Sequence, residues 1–288
     1  MAGPLRSAGE PWALQVGAWR LRGRLLLPTG QPRAVFVLHH AMMADLGPMM
    51  PLALALADAG CVALAVDSRG HGQSGPLPPA GDWTFDGLAR DELPAVAAAL
   101  RAQLPGLPLI AAGHSLGGQA ALVAEAVVGP VYDAILVLGS GRWGIGPRDE
   151  RGLLRLQRLG LYLLGAALCR IFGHLPVSRL GRWRDEARGY WLQTTGWVWR
   201  RAFDGLDGRD YAAAIAGLRL PIVALRGDRD PLVRPVDQRA LITAPDAVFV
   251  EVPGADHHRL PRLCLPVLLP RLDALVGHAE AWRRARGA

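Results

Sequence analysis

Residues 109–127 constrain this chain more than any other stretch. An apolar run, Leu109-Ile110-Ala111-Ala112-Gly113, leads into Gly113-His114-Ser115-Leu116-Gly117, and a helix-prone, alanine-rich segment follows from Gln119 to Val127. A strand that stops at a serine and restarts at once as a helix forces that serine into a cramped turn with φ > 0. Small residues two positions to either side, here Gly113 and Gly117, relieve the crowding. The turn lifts the hydroxyl above the sheet edge and aims a helix N-terminus at it. A G-x-S-x-G match alone is weak in a chain with 35 glycines, where it also arises as an ordinary turn. The strand–turn–helix context favours a nucleophile.

Apolar runs on either side extend the pattern. Trp12–Val16 and Trp19–Leu27 predict an antiparallel pair. Ala34–Leu38, Cys61–Val66, Ala134–Leu138, Pro221–Leu225 and Ala247–Val252 predict short buried strands. Helical spacing recurs in Pro48–Ala59, ending at Gly60, in Phe85–Leu104, interrupted near Pro94, in Pro235–Thr243 and in a closing helix Leu263–Val276. Strands alternating with helices predict an α/β fold with a doubly wound, mostly parallel sheet. Such sheets bind ligands beyond the carboxyl ends of their strands. His39, Asp67, Ser115, Asp230 and His257 all fall at such ends.

Residues 141–210 break the alternation. They are helical in pattern, hold five of the nine tryptophans (Trp143, Trp183, Trp191, Trp197 and Trp199), and carry 13 arginines against 7 acids. Their net +6 leaves +1 for the rest of a chain whose total is +7. This predicts a helical cap between core segments 1–140 and 211–288, set over the site. A purely structural insertion is the alternative. A basic, tryptophan-rich face suits an anionic substrate or a membrane surface, whereas nucleic-acid binding has no module signature to support it.

The composition also excludes. All 32 basic residues are arginine, and lysine and asparagine are absent. Schiff-base chemistry, a P-loop, a Ser–Lys dyad and N-glycosylation are therefore impossible. Cys61, Cys169 and Cys264 are widely spaced in apolar surroundings, which predicts buried thiols. Residues 1–10 lack the apolar core of a signal peptide, and Leu159–Cys169 is too short to span a bilayer. A soluble, cytoplasmic protein is expected.

A serine hydroxyl needs a base to take its proton, and the base needs a carboxylate to fix its tautomer. The acid is expected from Arg226-Gly227-Asp228-Arg229-Asp230-Pro231. There Asp230 lies deeper in the loop and is favoured over Asp228, a turn residue. The base is expected from Gly254-Ala255-Asp256-His257-His258, with His257 favoured over His258. His114 flanks the serine along the chain and is read as packing support. A metal site drawn from His39, His40, His257 and His258 matches no ligand spacing. For the oxyanion, the backbone N–H of Leu116 is one expected donor. The second comes from the loop after Ala34–Leu38, at Ala41 with Met42 as the alternative. The nearby methionines 42, 43, 49 and 50 fit either an adaptable apolar pocket or ordinary core filling.

These pieces resemble the α/β-hydrolase superfamily. The resemblance rests on His39-His40-Ala41-Met42, on Asp67-Ser68-Arg69-Gly70-His71-Gly72-Gln73-Ser74, on the pentapeptide, on Gly227-Asp228-Arg229-Asp230 and on Gly254-Ala255-Asp256-His257. Within that superfamily the chain is similar to bacterial predicted serine hydrolases related to the serine aminopeptidase and monoacylglycerol lipase branch. Shared there are the Ala41-Met42 loop and a cap with Leu175-Pro176, Arg179-Leu180-Gly181, Tyr190-Trp191 and Trp197. The resemblance implies a Ser115–Asp230–His257 triad and no cofactor. Two positions depart from the family pattern. His40 stands where glycine is usual, and Asp256 precedes His257 where glycine is frequent, a placement that would raise the pKa of the neighbouring histidines. The expected function is a serine hydrolase of carboxylic esters with an apolar acyl or alcohol part. Acyl transfer by the same triad and a catalytically weak binding module are the alternatives.

Overall fold

A computed structural model of the chain describes residues 9–142, 152–181 and 183–287. Of the expected cap 141–210, residues 143–151, Trp143 among them, and 182 lie outside the described residues. Eight strands form one sheet: β1 (Glu10–Val16), β2 (Trp19–Leu26), β3 (Val35–His39), β4 (Val62–Asp67), β5 (Leu109–His114), β6 (Ala134–Leu138), β9 (Ile222–Gly227) and β10 (Val248–Val252). Their order is β1-β2-β4-β3-β5-β6-β9-β10. The β1–β2 and β2–β4 pairings are antiparallel and the others parallel, so the doubly wound, mostly parallel sheet read from the sequence is the fold.

The central strands are buried on both faces, as continuous apolar runs require. In β3, Val35 and Val37 face one layer while Phe36 and Leu38 face the other, and β5 divides Leu109 and Ala111 from Ile110 and Ala112 in the same way. On one side lie α2 (Phe85–Gly87), a π turn (Leu88–Glu92), α3 (Leu93–Gln103) and α4 (Leu116–Val123). On the other lie α1 (Met50–Asp58) and the C-terminal helices.

Helix α1 stops at Gly60, whose φ of 85° suits only glycine without strain, and Cys61 N–H reaches back to Leu56 O at 3.0 Å. The interruption expected near Pro94 is the π turn just before it. Pro94 has no N–H to give the preceding turn, and the wider winding absorbs the loss. The expected closing helix Leu263–Val276 is corrected. Pro261, Pro266 and Pro270 divide this region into short turns, α9 (Leu260–Leu263) and α10 (Leu265–Leu268), before α11 (Leu272–Ala285) runs on past Val276.

Between β6 and β9 the chain forms α5 (Gly152–Phe172), a short pair β7 (His174–Leu175) with β8 (Glu186–Ala187), α6 (Arg188–Arg200) and α7 (Tyr211–Ala216), and α8 (Pro235–Leu241) joins β9 to β10. Tyr162, Ala166, Cys169, Leu175, Trp191 and Val198 make a small core of their own here. Gly165 lets α5 approach α6 closely: a Cβ there would lie 2.2 Å from Trp191 Nε1, which donates to Tyr162 O at 3.1 Å. All three cysteines are buried and unbonded to one another. Among the described residues, no helix is long and apolar enough to cross a membrane.

Candidate active site

The turn between β5 and α4 has the conformation its sequence demands. Ser115 sits at φ 53°, ψ −111°, a left-handed φ for a non-glycine residue. Its N–H donates to Leu138 O at 2.9 Å, and its carbonyl accepts from Ser140 Oγ at 2.8 Å. The flanking glycines are steric necessities. A Cβ on Gly113 would lie 2.4 Å from the Gly117 carbonyl carbon, and one on Gly117 would lie 2.4 Å from His39 O. Leu116 opens α4, so its N–H has no acceptor within the helix and is open to an anion.

The expected acid and base, Asp230 and His257, lie in the loops after β9 and β10. His257 Nδ1 lies 2.8 Å from Asp230 Oδ2, with both side chains buried. The other Asp230 oxygen accepts the N–H groups of Leu232 and Val233 at 2.8 and 2.9 Å. With the carboxylate oxygen as acceptor, Nδ1 is the donating ring nitrogen and Nε2 the one left to accept. Asp228 instead accepts Gly254 N–H at 2.7 Å and ties the two loops together, the turn role that its position suggested. His258 is exposed, with its ring tilted at 55° to that of Trp183 and the centroids 5.4 Å apart. His114 donates from Nε2 to the His257 carbonyl at 2.9 Å, and burial holds its pKa well below the usual histidine value. A neutral, fixed His114 thus supports the backbone of His257.

The Asp256 carboxylate, expected to act on the histidines beside it, is engaged by Arg259 through both N–H and Nε at 2.9 and 2.6 Å. Its pKa is lowered by those bonds, the Arg259 N–H foremost.

The loop after β3 is held from several sides. His40 accepts Ser68 N–H on Nε2 at 3.0 Å, which leaves Nδ1–H to donate to Ala41 O at 2.7 Å. Burial pushes its pKa down to about 3, so the ring stays neutral and keeps this tautomer. The residue that departs from the family pattern therefore pins the loop. Sequence reading missed Glu186. Its Oε1 accepts Met43 N–H and meets His71 Nε2 at 3.2 Å, with both of those side chains fully buried. Burial pulls His71 down, but the Glu186 charge and hydrogen bond outweigh it and leave the pKa raised. No spacing rule links positions 71 and 186, and only the fold brings them together.

The glycine-rich stretch after β4 is also structural. Asp67 accepts Leu46 and Gln73 N–H groups at 2.8 and 2.9 Å, while a Cβ on Gly72 would lie 2.2 Å from that carboxylate. Arg69 donates from N–H and Nε to the buried Glu92 at 3.0 and 2.8 Å.

Ser115, His257, Leu116 and Ala41 line one cavity of about 950 Å³. Its opposite wall is Leu161, Leu164, Leu168, Leu175, Trp183, Tyr190 and Trp191, all from residues 152–210. Met42 and Met43 line it as well, whereas Met49 is core, so the methionines divide between the two expected uses. Three arginines reach the wall. Arg184 pairs with Asp45 and Arg259 with Asp256, each at 2.6 Å. The third, Arg142, has a buried Nε with no hydrogen-bond partner among the described residues. No cluster of three or more His, Cys, Asp or Glu among the described residues is arranged to hold a metal ion.

A model of the Alpha/beta hydrolase family matches residues 25–264. The chain belongs to this family. No curated protein matches the sequence. Many solved structures share the fold at low identity. Est1E from Butyrivibrio proteoclasticus, solved with ferulic acid, is 16% identical with a TM-score of 0.67, over 92% of this chain and 99% of that one. A thermophilic esterase from Thermogutta terrifontis, solved with malate, is 17% identical at 0.67, over 94% and 100%. The hydrolase GrgF from Penicillium sp. sh18 is 15% identical at 0.70, over 94% and 99%.

Proposed function

We propose that this α/β hydrolase cleaves carboxylic esters with an apolar acyl or alcohol part through an acyl-enzyme on Ser115. The observation that carries the reading is His257, paired with the buried Asp230, on the wall of the same cavity as the strained, positive-φ serine. Strain of this kind costs roughly 1–3 kcal/mol and persists where the surroundings impose it.

In the reaction, His257 Nε2 takes the Ser115 hydroxyl proton as Oγ attacks the ester carbonyl carbon. The carbonyl electron pair moves to oxygen, where the Leu116 and Ala41 N–H groups stabilise it. Collapse expels the alkoxide, which leaves as the alcohol with the proton from His257. Water then attacks the acyl-enzyme with His257 again as base, releasing the acid and restoring the serine. Asp230 orients the imidazole and stabilises its charged form. Each step uses groups of this chain and needs no cofactor.

The cavity supports the substrate class. Its wall is mostly apolar, with leucines the commonest residue, and about 950 Å³ accommodates a chain of many carbons. One observation favours an ester with an anionic end: Arg142 lines this wall, and its buried Nε has no hydrogen-bond partner among the described residues. A thermophilic esterase and an esterase domain from Rhodothermus marinus are among the structures that share the fold.

A panel of p-nitrophenyl esters of rising acyl length tests the proposal, with and without a terminal carboxylate. The expected result is a kcat/KM that climbs with chain length and falls to background in Ser115→Ala. Arg142→Gln should lower kcat/KM for the carboxylated members alone. Turnover that is flat at background across the panel in folded protein would contradict the ester reading. Added alcohol or thiol acceptors separate hydrolysis from acyl transfer, because transfer products would then form faster than free acid.

A further inference from the structure

Helix α5 is apolar on two faces. Its inner face, with Tyr162, Gly165, Ala166 and Cys169, is buried. Its outer face carries Leu153, Leu156, Leu163, Leu164 and Ile171, which are between 44% and 71% exposed. At 100° per residue these five fall within an arc of about 100°, along about 27 Å of helix. A continuous exposed stripe of large aliphatic side chains differs from the scattered leucines of an ordinary surface and marks an interaction site.

We propose that this face docks the protein on an anionic lipid surface, with α5 lying in the plane of the interface. Charge selects the occupant. Residues 151–184 contain seven arginines and no acidic residue. On α5 itself Arg170 borders the leucine stripe, about 20° round the helix from Leu163, while Arg155 and Arg158 lie farther round, on the side of the inner face. A second copy of the chain would bring the same basic surface against its like.

The cavity supplies an independent reason. Leu161, Leu164 and Leu180 line it and are also 48%, 59% and 79% exposed. Leu164 thus belongs both to the outer face of α5 and to the wall of the cavity that holds Ser115. A protein seated on this face would open its cavity toward the lipid, and an apolar ester would enter without crossing water. Docking goes beyond the ester reading, and it is measured without any reaction.

Flotation with unilamellar vesicles tests it, comparing phosphatidylcholine alone with a phosphatidylglycerol–phosphatidylcholine mixture at low and high salt. Wild type should bind the mixed vesicles at least tenfold more tightly than the neutral ones, since each arginine near such a surface contributes about fivefold. High salt should weaken that binding. Leu156→Glu combined with Leu163→Glu, neither of which lines the cavity, should lose at least tenfold. It should keep the wild-type melting temperature and wild-type turnover of a soluble short-chain ester. Should that variant melt early, Arg155→Gln with Arg170→Gln gives the same readout through charge alone. Failure of wild type to float with the mixed vesicles overturns the proposal, as does undiminished binding by the folded variants. A wild-type dimer that the leucine variant converts to monomer, without vesicle binding, would assign the face to a second copy instead.

Discussion

Replacing Gly117 by alanine tests whether the serine turn and the oxyanion loop are held in register by direct contact. A Cβ at this position would lie 2.4 Å from His39 O, 2.7 Å from His39 C and 2.8 Å from His39 Cβ. Ordinary van der Waals contact begins near 3.4 Å, so the overlap is about 1 Å, and it falls on the backbone at the end of β3 rather than on a flexible side chain. The chain relieves it only by pushing α4 and β3 apart. Overpacking of this kind costs about 1–3 kcal/mol, and a rigid neighbour places this case at about 3. For a domain of this size that lowers the melting temperature by roughly 6–12 °C. The same shift separates the N–H of Leu116, at the start of α4, from that of Ala41, two residues beyond His39. A misplacement of 1 Å costs up to about 100-fold in rate. Gly277→Ala is the control. Its Cβ meets nothing within 4 Å, it lies in α11, and its φ is not in the left-handed range, so it should stabilise by about 1 kcal/mol and leave turnover unchanged. The assay is kcat/KM on a soluble ester alongside thermal melting. Wild-type melting and wild-type kcat/KM in Gly117→Ala would refute the argument.

Two further outcomes follow from buried charge. Burial pushes His39 and His40 down to about 3, against 6.5 for a free histidine, so the unfolded chain binds their protons first as pH falls. Each such group removes about 1.4 kcal/mol of stability per pH unit below about 6, and His40→Gln should flatten the acid limb by that slope in urea titrations from pH 7 to 4; an unchanged slope would count against a neutral buried His40. The His71–Glu186 pair has the opposite sign. Because the folded His71 pKa is raised, the contribution of the pair is complete below about 6.5 and fades as pH rises through the folded value. Glu186→Gln should therefore lower the melting temperature more at pH 6 than at pH 9, the low-pH loss being about 3–5 kcal/mol as for a broken buried pair. Equal losses at both pH values would remove the charge from the explanation.

Much of the fold was legible because its signals are local. The β6 run Ala134–Leu138 is apolar at every position and is a strand over those same residues, and Gly60 ends α1 for a reason that one residue carries. The closing helix was overextended at its start and cut short at its end. Leucine spacing there looks helical throughout, whereas each proline removes an N–H and breaks the run. At the candidate site, Ser115, Asp230 and His257 each announce themselves by a loop after a strand. The ties that hold the site do not. His71 with Glu186, Ser68 with His40 and His114 with the His257 carbonyl join positions 28 to 143 residues apart. Such contacts depend on how the layers stack, which periodicity does not encode.

The central claim is that Ser115 is an activated nucleophile served by His257. Labelling with a fluorophosphonate, followed by mapping of the modified peptide, tests it most directly. The account predicts rapid modification of wild type at Ser115, none in Ser115→Ala, and labelling slowed by at least about 1000-fold in His257→Ala, in line with removal of a triad base. A well-folded wild-type protein that takes no label, or a label that persists in Ser115→Ala, would contradict it.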